Sequence, residues 1–407
     1  MTKRRKIIDG IYNAITMLAS GTTVIALVLI FGFVAIRGVG TLSFDMLTNN
    51  YWSQNYLVHF ENNQPSLFET PDDLGDDVYF STQYGVALKD SINHEKKKEV
   101  LIVYIAEDSP FLTSVDASQG SNYLQPLSID DNSIFNRLEY LNEEGVVSLT
   151  GLTMQENAET IVQNLDSASE ITSLYFQTQG GGIWGSLLAT LMLIAISIVI
   201  ALPLGIFAAI YLTEIAKPGF LRNTIERAIE MLAGVPSIIF GLMGIAVLFP
   251  ITALFNISGL SVLLGGMTMS IVLLPVIIRS VQESLVVVPR DYRYASLSLG
   301  ATQTQTIFRV ILPSALPGIL SALLLAVSRI IGESAALIYT MGTFINDAPK
   351  LSTGATTLAV HIWTIMSGEQ PNFELASAIS IIILIIVFIL NFSVKFLSRR
   401  LERKWQG

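Results

Sequence analysis

Tyr294–Pro313 read YASLSLGATQTQTIFRVILP. Before Gly300, apolar residues recur at Ala295, Leu297 and Leu299; after it come Ile307, Val310 and Ile311. A glycine between two helical stretches permits a positive φ and a sharp turn. The stretch predicts two short helices joined at an elbow and lying at a membrane surface. Pro313 and Pro317 then fall at the start of a spanning helix, where proline is tolerated in the first turn. The plainer reading is an ordinary amphipathic linker.

The rest of the chain explains why a membrane is invoked. Of 407 residues, 51% are hydrophobic and only 14% charged, whereas soluble domains carry roughly 25% charged residues. Six segments come near the ~20 apolar residues that a spanning helix needs: Ala14–Ile36, Ile183–Leu212, Ile229–Leu254, Leu260–Ser280, Leu316–Thr340 and Leu375–Leu397. The basic start KRRK (Lys3–Lys6) precedes the first. That apolar run is long for a signal peptide and no small-residue cleavage site closes it, so it reads as an uncleaved helix. With the N-terminus inside, alternation places Lys217–Arg227, Val288–Arg309 and the tail Ser398–Gly407 in the cytoplasm. All three basic stretches then share one side, as topology demands. Both termini are expected in the cytoplasm of a multi-pass protein of the cell membrane.

The charge is unevenly spread. Residues 41–180 hold 5 Lys/Arg against 22 Asp/Glu, a net of −17; the remainder holds 19 against 11, a net of +8. This segment is too long for a loop. VLIVYI (Val100–Ile105) has the form of a buried strand, and Thr153–Asp166 reads as a helix. Asp72, Asp73, Asp76 and Asp77 cluster, but their spacing does not fit an EF-hand. A solvated acidic loop is the preferred reading over a calcium site. The expected layout is therefore residues 1–40, the N-terminus and first helix; 41–180, an acidic extracytoplasmic insert; 181–397, a five-helix core with the elbow at about 288–313; and 398–407, a basic tail. The fold class is an all-α membrane protein with six transmembrane helices and an α/β or α+β insert between helices 1 and 2.

Several chemistries are absent. There is no cysteine, hence no disulfide or thiolate metal site. The three histidines, His59, His94 and His361, lack metal-ligand spacing. No phosphate-cradling G-x-x-x-x-G-K-[ST] loop occurs, and no nucleophile–base pair suggests catalysis. No metal, cofactor or nucleic acid is expected.

Charge inside the apolar spans stands out instead. VSRIIGESAALIYT (Val327–Thr340) contains Arg329 and Glu333. A charge at the bilayer centre costs at least roughly 2.5–3.5 kcal/mol, so it usually faces a bundle interior and has a function. On a continuous helix the two share one face. Gly332 and Ser334 would let another helix or a solute come close. Arg279 and Glu283 repeat the spacing. The plainer readings are a structural Arg329–Glu333 ion pair and an Arg279 that snorkels to the interface. Glu230 is explained by Arg227 or by a helix N-terminus. Trp184 and Trp363 read as interfacial anchors. Phosphate chemistry suits these groups. Arginine's planar fork matches two phosphate oxygens. A carboxylate can accept the P–OH hydrogen bond that sulfate cannot offer.

The elbow sequence resembles the cytoplasmic signature of ABC-importer permeases: E-A-A, three residues, Gly, nine residues, I-x-L-P. Here it is Tyr294-Ala295-Ser296, Gly300, then Val310-Ile311-Leu312-Pro313. Tyr294 replaces the usual glutamate. Gly181–Ala216, Gly234–Leu242, Pro275–Pro289, Ser328–Thr340 and Thr356–Gln370 resemble phosphate-specific importer permeases, the PstA type in particular. The resemblance implies a substrate path involving Arg279, Arg329, Glu333 and Ser334, to which the repeated spacing adds Glu283. It implies coupling to a separate ATPase through Tyr294, Ala295, Ser296, Gly300, Leu312 and Pro313. It further implies a second, homologous permease in a heterodimer, two ATPase subunits and an extracytoplasmic phosphate-binding protein. The insert lies outside the resemblance and is expected to contact the binding protein or the partner permease. Two alternatives stay open at this point. One is a permease for another oxyanion or an organic phosphate. The other is a membrane sensor that uses the acidic outer domain.

Overall fold

The computed structural model describes residues 3–71, 74–75, 77–92, 97–118, 123–368 and 371–406. Asp72, Asp73 and Asp76 of the acidic cluster, and His94, lie outside them. Among the described residues no group of three or more acidic or histidine side chains could hold a metal. The chain divides into two units, Met1–Leu42 with Ile183–Gly407, and Ser43–Gly182.

Helix α1 (Lys3–Gly38) opens the first unit. It packs along the last helix, where Arg37 meets Glu374 at 3.2 Å. The chain then enters the second unit through α2 (Phe44–Thr48). Among the described residues eight strands follow: β1 (Asn55–Phe60), β2 (Val78–Ser81), β3 (Val86–Ile92), β4 (Lys98–Ile105), β5 (Ser114–Asp116), β6 (Ser133–Asn142), β7 (Val147–Thr150) and β8 (Ala168–Gln177). They form one sheet in the order β2-β3-β4-β6-β8-β1-β5, with β7 beside β6. Every pairing is antiparallel, which makes the insert α+β rather than α/β. The apolar run Val100–Ile105 lies in β4, as expected. The expected Thr153–Asp166 helix is shorter, α3 (Ala158–Asp166). Asn157 caps it by accepting a hydrogen bond from the Thr160 N–H at 3.0 Å, which fixes the start. Helix α3 buries Ala158, Ile161, Val162 and Leu165 against the sheet, with Phe111, Phe135 and Phe176 in the same core. Tyr84 is fully buried there and donates to the Ala168 carbonyl at 3.0 Å. Burial, then the nearby Glu170 and Asp166, pushes its hydroxyl up to about 12.

The entry and exit of this unit run side by side. Gly181 N–H donates to Tyr51 O at 2.8 Å and Gly182 N–H to Asn50 O at 3.0 Å. A Cβ on Gly182 would lie 1.9 Å from Asn49 O, so only glycine permits this approach.

The first unit resumes with α4 (Trp184–Ile210), α5 (Phe220–Ala233), α6 (Ser237–Met243), α7 (Phe249–Ala253) and α8 (Val262–Val287). There follow α9 (Arg290–Ser298), α10 (Gln303–Thr306), α11 (Leu312–Gly332), α12 (Ala335–Thr340), α13 (Leu358–Met366) and α14 (Phe373–Gln406). Among the described residues five helices, Asp9–Thr41, Trp184–Ile215, Val262–Val287, Gln303–Gly332 and Phe373–Phe396, are long and apolar enough to span a membrane. A sixth arises if Phe220–Ala233 and Ser237–Ala253, bent by 103°, form one span.

Two expected spans therefore need correction. The run Ile229–Leu254 is not one helix. Pro236 lacks an N–H and disfavours helical backbone at Val235, so α5 ends at Ala233 and the chain turns. The run Leu316–Thr340 is interrupted at Glu333, whose backbone is extended (φ −80°, ψ 129°). The helix bearing Pro313 and Pro317 also starts earlier than expected. It is continuous from Gln303, and both prolines follow a π-helical turn at Ile307–Ile311. Such a turn relaxes the regular hydrogen-bond ladder near the point where proline cannot donate.

Helices α4, α8 and α11 form the core of this unit. Ser197 Oγ donates to Gly266 O at 3.2 Å, tying α4 to α8. Near the start of α4, Ser186 Oγ lies 2.9 Å from His361 Nδ1 and 3.0 Å from Thr356 Oγ1. His361 sits on α13, outside the spanning segments, and burial pushes its imidazole down to about 4.

Candidate functional site

The elbow forms as two helices about a left-handed glycine. Helix α9 ends at Ser298, Gly300 has φ +87°, and α10 begins at Gln303. A residue with a Cβ is disfavoured at that φ. Thr302 and Gln305 make a reciprocal capping box, satisfying amides at the start of α10. Ser296 Oγ and Thr306 Oγ1 meet at 2.9 Å across the bend. Leu312 and Pro313 start α11 directly after the π-helical turn.

Helix α9 buries none of its residues. Tyr294, Leu297 and Leu299 are all exposed, Leu299 at 89%. The elbow is held instead by Arg293, a residue not singled out from the sequence. Its Nη2 and Nε donate to the two Glu214 carboxylate oxygens at 2.5 and 3.2 Å. The same guanidinium donates to Val288 O at 2.8 Å and Leu285 O at 3.0 Å. Gln303 Nε2 completes the joint by donating to Glu214 O at 2.9 Å. Glu214, from the turn that ends α4, thus touches both halves of the elbow. Where the family signature has glutamate, Tyr294 points its ring to the exterior, and the polar anchor comes from its neighbour Arg293. The signal was present in the sequence: an acid closing an apolar span and an arginine one position before the departure. Nothing in one dimension joins them across 79 residues.

Beside the elbow is a groove of about 1150 Å³. Glu283 and Arg309 stand in its wall with Ser280 and Ser284. Arg279 does not pair with Glu283 along α8. It forms an ion pair with Glu230 of α5, which replaces both the Arg279–Glu283 reading and the Glu230–Arg227 reading. The bend after α5 is what lets Glu230 meet α8.

The Arg329–Glu333 pair also differs from its sequence reading. Glu333 lies beyond the last turn of α11, so the two residues do not share a helix face. Glu333 is buried, at 9% exposure. Its Oε1 accepts the Ala336 N–H at 3.3 Å, capping the short helix α12. Its own N–H donates to Ile330 O at 3.2 Å. Gly332 is a weak helix former and Ser334 prefers helix ends, which suits a break here. Ser334 is half-buried next to Glu333, and Arg329 is exposed with no side-chain partner among the described residues.

The comparisons with known proteins agree with this architecture. The profile of the "Binding-protein-dependent transport system inner membrane component" family matches residues 201–407. A probable ABC transporter permease protein, YqgI of Bacillus subtilis, is 30% identical over 55% of this chain and 80% of its own length. Phosphate transport system permease protein PstA 1 of Mycobacterium tuberculosis is 30% identical over 55% of this chain and 72% of its own. Phosphate transport system permease protein PstC of Xylella fastidiosa is 29% identical over 53% and 73%. Relatives named PstA and PstC both match, so the family is broader than the PstA type. Permeases of this family work with separate ATPases and binding proteins and are not themselves enzymes. The chain belongs to the binding-protein-dependent transport system inner membrane components, and is an ABC-importer permease subunit of the cytoplasmic membrane.

Proposed function

We propose that the chain carries phosphate across the membrane as one of two homologous permeases in an ATP-driven importer. Two ATPase subunits bind the elbows, and an extracytoplasmic phosphate-binding protein delivers the ion. Both termini and the elbow face the cytoplasm in this reading. The six-span count takes the bent pair as one span. Arg329 is the observation that carries the substrate assignment. It is an exposed guanidinium in the last turn of an apolar helix, without a partner among the described residues, and the helix breaks just after it at buried Glu333 and half-buried Ser334. A free fork of donors suits an oxyanion, and a carboxylate on the same path would favour an anion that keeps a proton. The phosphate transport names of PstA 1 and PstC support the same substrate. Exposed Tyr294 and Ala295 and half-buried Ser296, together with the Gly300 turn and Leu312–Pro313, supply the face that receives the ATPase stroke.

The test is phosphate uptake into vesicles holding this chain with its candidate ATPase, partner permease and binding protein. Arg329→Gln is expected to abolish ATP-dependent uptake while assembly and ATPase docking persist. Undiminished uptake would make Arg329 structural. A wild type that takes up sulfate, molybdate or an organic phosphate but not phosphate would keep the permease and change the substrate. Glu333→Gln is expected to weaken discrimination between phosphate and sulfate.

A further inference from the structure

The acidic insert has an uncharged root. Residues 41–180 carry a net charge of −17, yet residues 46–60 (MLTNNYWSQNYLVHF) and 171–184 (ITSLYFQTQGGGIW) contain no Asp, Glu, Lys or Arg. These two stretches lie side by side. Strands β1 and β8 pair from His59 with Ser173 down to Asn55 with Gln177. The contact continues below the strands, where Thr178 N–H donates to Gln54 O at 3.0 Å. It ends at the bonds from Gly181 and Gly182 to Tyr51 and Asn50.

Two large apolar side chains project from this root. Phe44 is 77% exposed and Trp52 is 48% exposed. Both are held in place. Phe44 opens α2, whose start is capped by Ser43 Oγ accepting the Met46 N–H at 3.1 Å, and Met46 is buried. The Trp52 ring meets Tyr51 edge-on, with centroids 5.0 Å apart. A held aromatic pair of this kind spends apolar surface on its surroundings.

Chain continuity says what surrounds it. The apolar spans Asp9–Thr41 and Trp184–Ile215 enter and leave the insert. Phe44 follows Thr41 by three residues, so it lies within about 11 Å of that span's end even on a fully extended chain. Trp52 adjoins the bonds to Gly181 and Gly182, which precede Trp184 by three and two residues. It is thereby kept within about 20 Å of the second span's start. Tryptophan and tyrosine favour the headgroup level of a bilayer, and an uncharged stretch meets no desolvation penalty for ions there. The root is not apolar throughout. Asp45, Asp130 and Asp131 line a polar cavity of about 380 Å³, which neither Phe44 nor Trp52 lines. Those carboxylates need water, so they limit the root to the headgroup layer and bar it from the hydrocarbon.

We propose that Phe44 and Trp52 anchor the root of the insert in the headgroup layer of the leaflet where these two spans end. The partner is the lipid surface itself, and the attraction is apolar rather than electrostatic. The acidic remainder of the insert stays in water. This inference rests on the spans alone and is independent of the transported ion.

The chain has four tryptophans. Replacing Trp184, Trp363 and Trp405 by phenylalanine leaves Trp52 as the sole reporter in the full chain. The protein is placed in phosphatidylcholine nanodiscs that carry a nitroxide on the headgroup or deep in the acyl chain. Trp52 is expected to lose most of its emission to the headgroup nitroxide and much less to the deep one, and to resist aqueous iodide. The control reporter is Val147→Trp with Trp52→Phe. Val147 pairs with Leu141, which lies opposite Glu170, about 23 Å along β8 from Gln177. It is expected to be quenched by iodide and not by either lipid. Trp52 quenched by iodide alone overturns the proposal. So does Trp52 shielded from iodide and both lipids, which would mean that protein covers it. Stronger quenching by the deep nitroxide would put the root in the hydrocarbon, and equal lipid quenching of both reporters would lay the whole insert on the membrane; either result overturns the proposal as well. An unchanged melting temperature verifies the fold of each variant.

Discussion

Replacing Arg293 by alanine removes four hydrogen bonds at one joint: two to the Glu214 carboxylate and two to the carbonyls of Leu285 and Val288. The site is largely shielded, with the side chains 20% and 10% exposed. A surface ion pair would be worth little, but breaking a mostly buried pair leaves one charge uncompensated, at a cost of about 3–5 kcal/mol. That loss falls on a small element. Helix α9 buries no residue of its own, so few apolar contacts remain to hold it. Local opening of the elbow should become about a hundredfold or more easier. Hydrogen–deuterium exchange of the α9 and α10 amides reads this directly in the full chain. With the coupling role proposed above for the elbow, uptake should fall in parallel. Arg293→Lys should recover only part of the protection, because an ammonium cannot reproduce the two-pronged contact. Unchanged exchange in Arg293→Ala with the bundle intact would refute the reasoning. Full protection with lysine would show that charge alone matters.

Four further outcomes are expected. Gly300→Ala forces a Cβ into a left-handed conformation and should cost about 1–2 kcal/mol, read as faster α10 exchange and lower ATP-driven uptake. Glu230→Gln should shift the melting temperature little, because the Arg279–Glu230 pair is 39% and 63% exposed and such pairs are worth at most about 1 kcal/mol. His361 takes up its proton near pH 4 in the fold and near pH 6.5 when unfolded. The unfolded state therefore binds more protons between those values, and stability should fall by about 3 kcal/mol as pH drops from 6.5 to 4. Melting against pH should show this, with the slope reduced in His361→Gln. Tyr84→Phe leaves the Ala168 carbonyl unpaired inside the insert and should cost about 1–3 kcal/mol, seen as increased proteolytic nicking of the Ser43–Gly182 unit.

The elbow was legible because its information is local. A glycine flanked by two apolar periodicities is a turn signal wherever it occurs. The spans were legible by hydropathy, but their breaks were not. Val235–Pro236 and Gly332–Ser334 interrupt helices inside runs whose hydropathy continues across them, so a window average sees one segment. The Glu333 reading failed for the same reason, since an i,i+4 argument assumes the helix that Glu333 ends. The Arg279–Glu230 and Arg293–Glu214 pairs depend on tertiary proximity that spacing cannot reveal. In the insert, β4 showed as an uninterrupted apolar run. Short strands such as β5 and β7 are defined mainly by their partners across the sheet.

The neck of the insert has a consequence of its own. Because the backbones at Asn50–Tyr51 and Gly181–Gly182 are hydrogen-bonded to each other, the sheet domain begins and ends at one point. A module with adjoining ends adds only a short loop to its host. Such a cassette can be lost, exchanged or circularly permuted without redrawing the path of the host chain. Linking Asn49 to Gly182 through a few residues is then a conservative edit, and a fluorescent protein or affinity tag with adjoining termini becomes a natural replacement at the same junction.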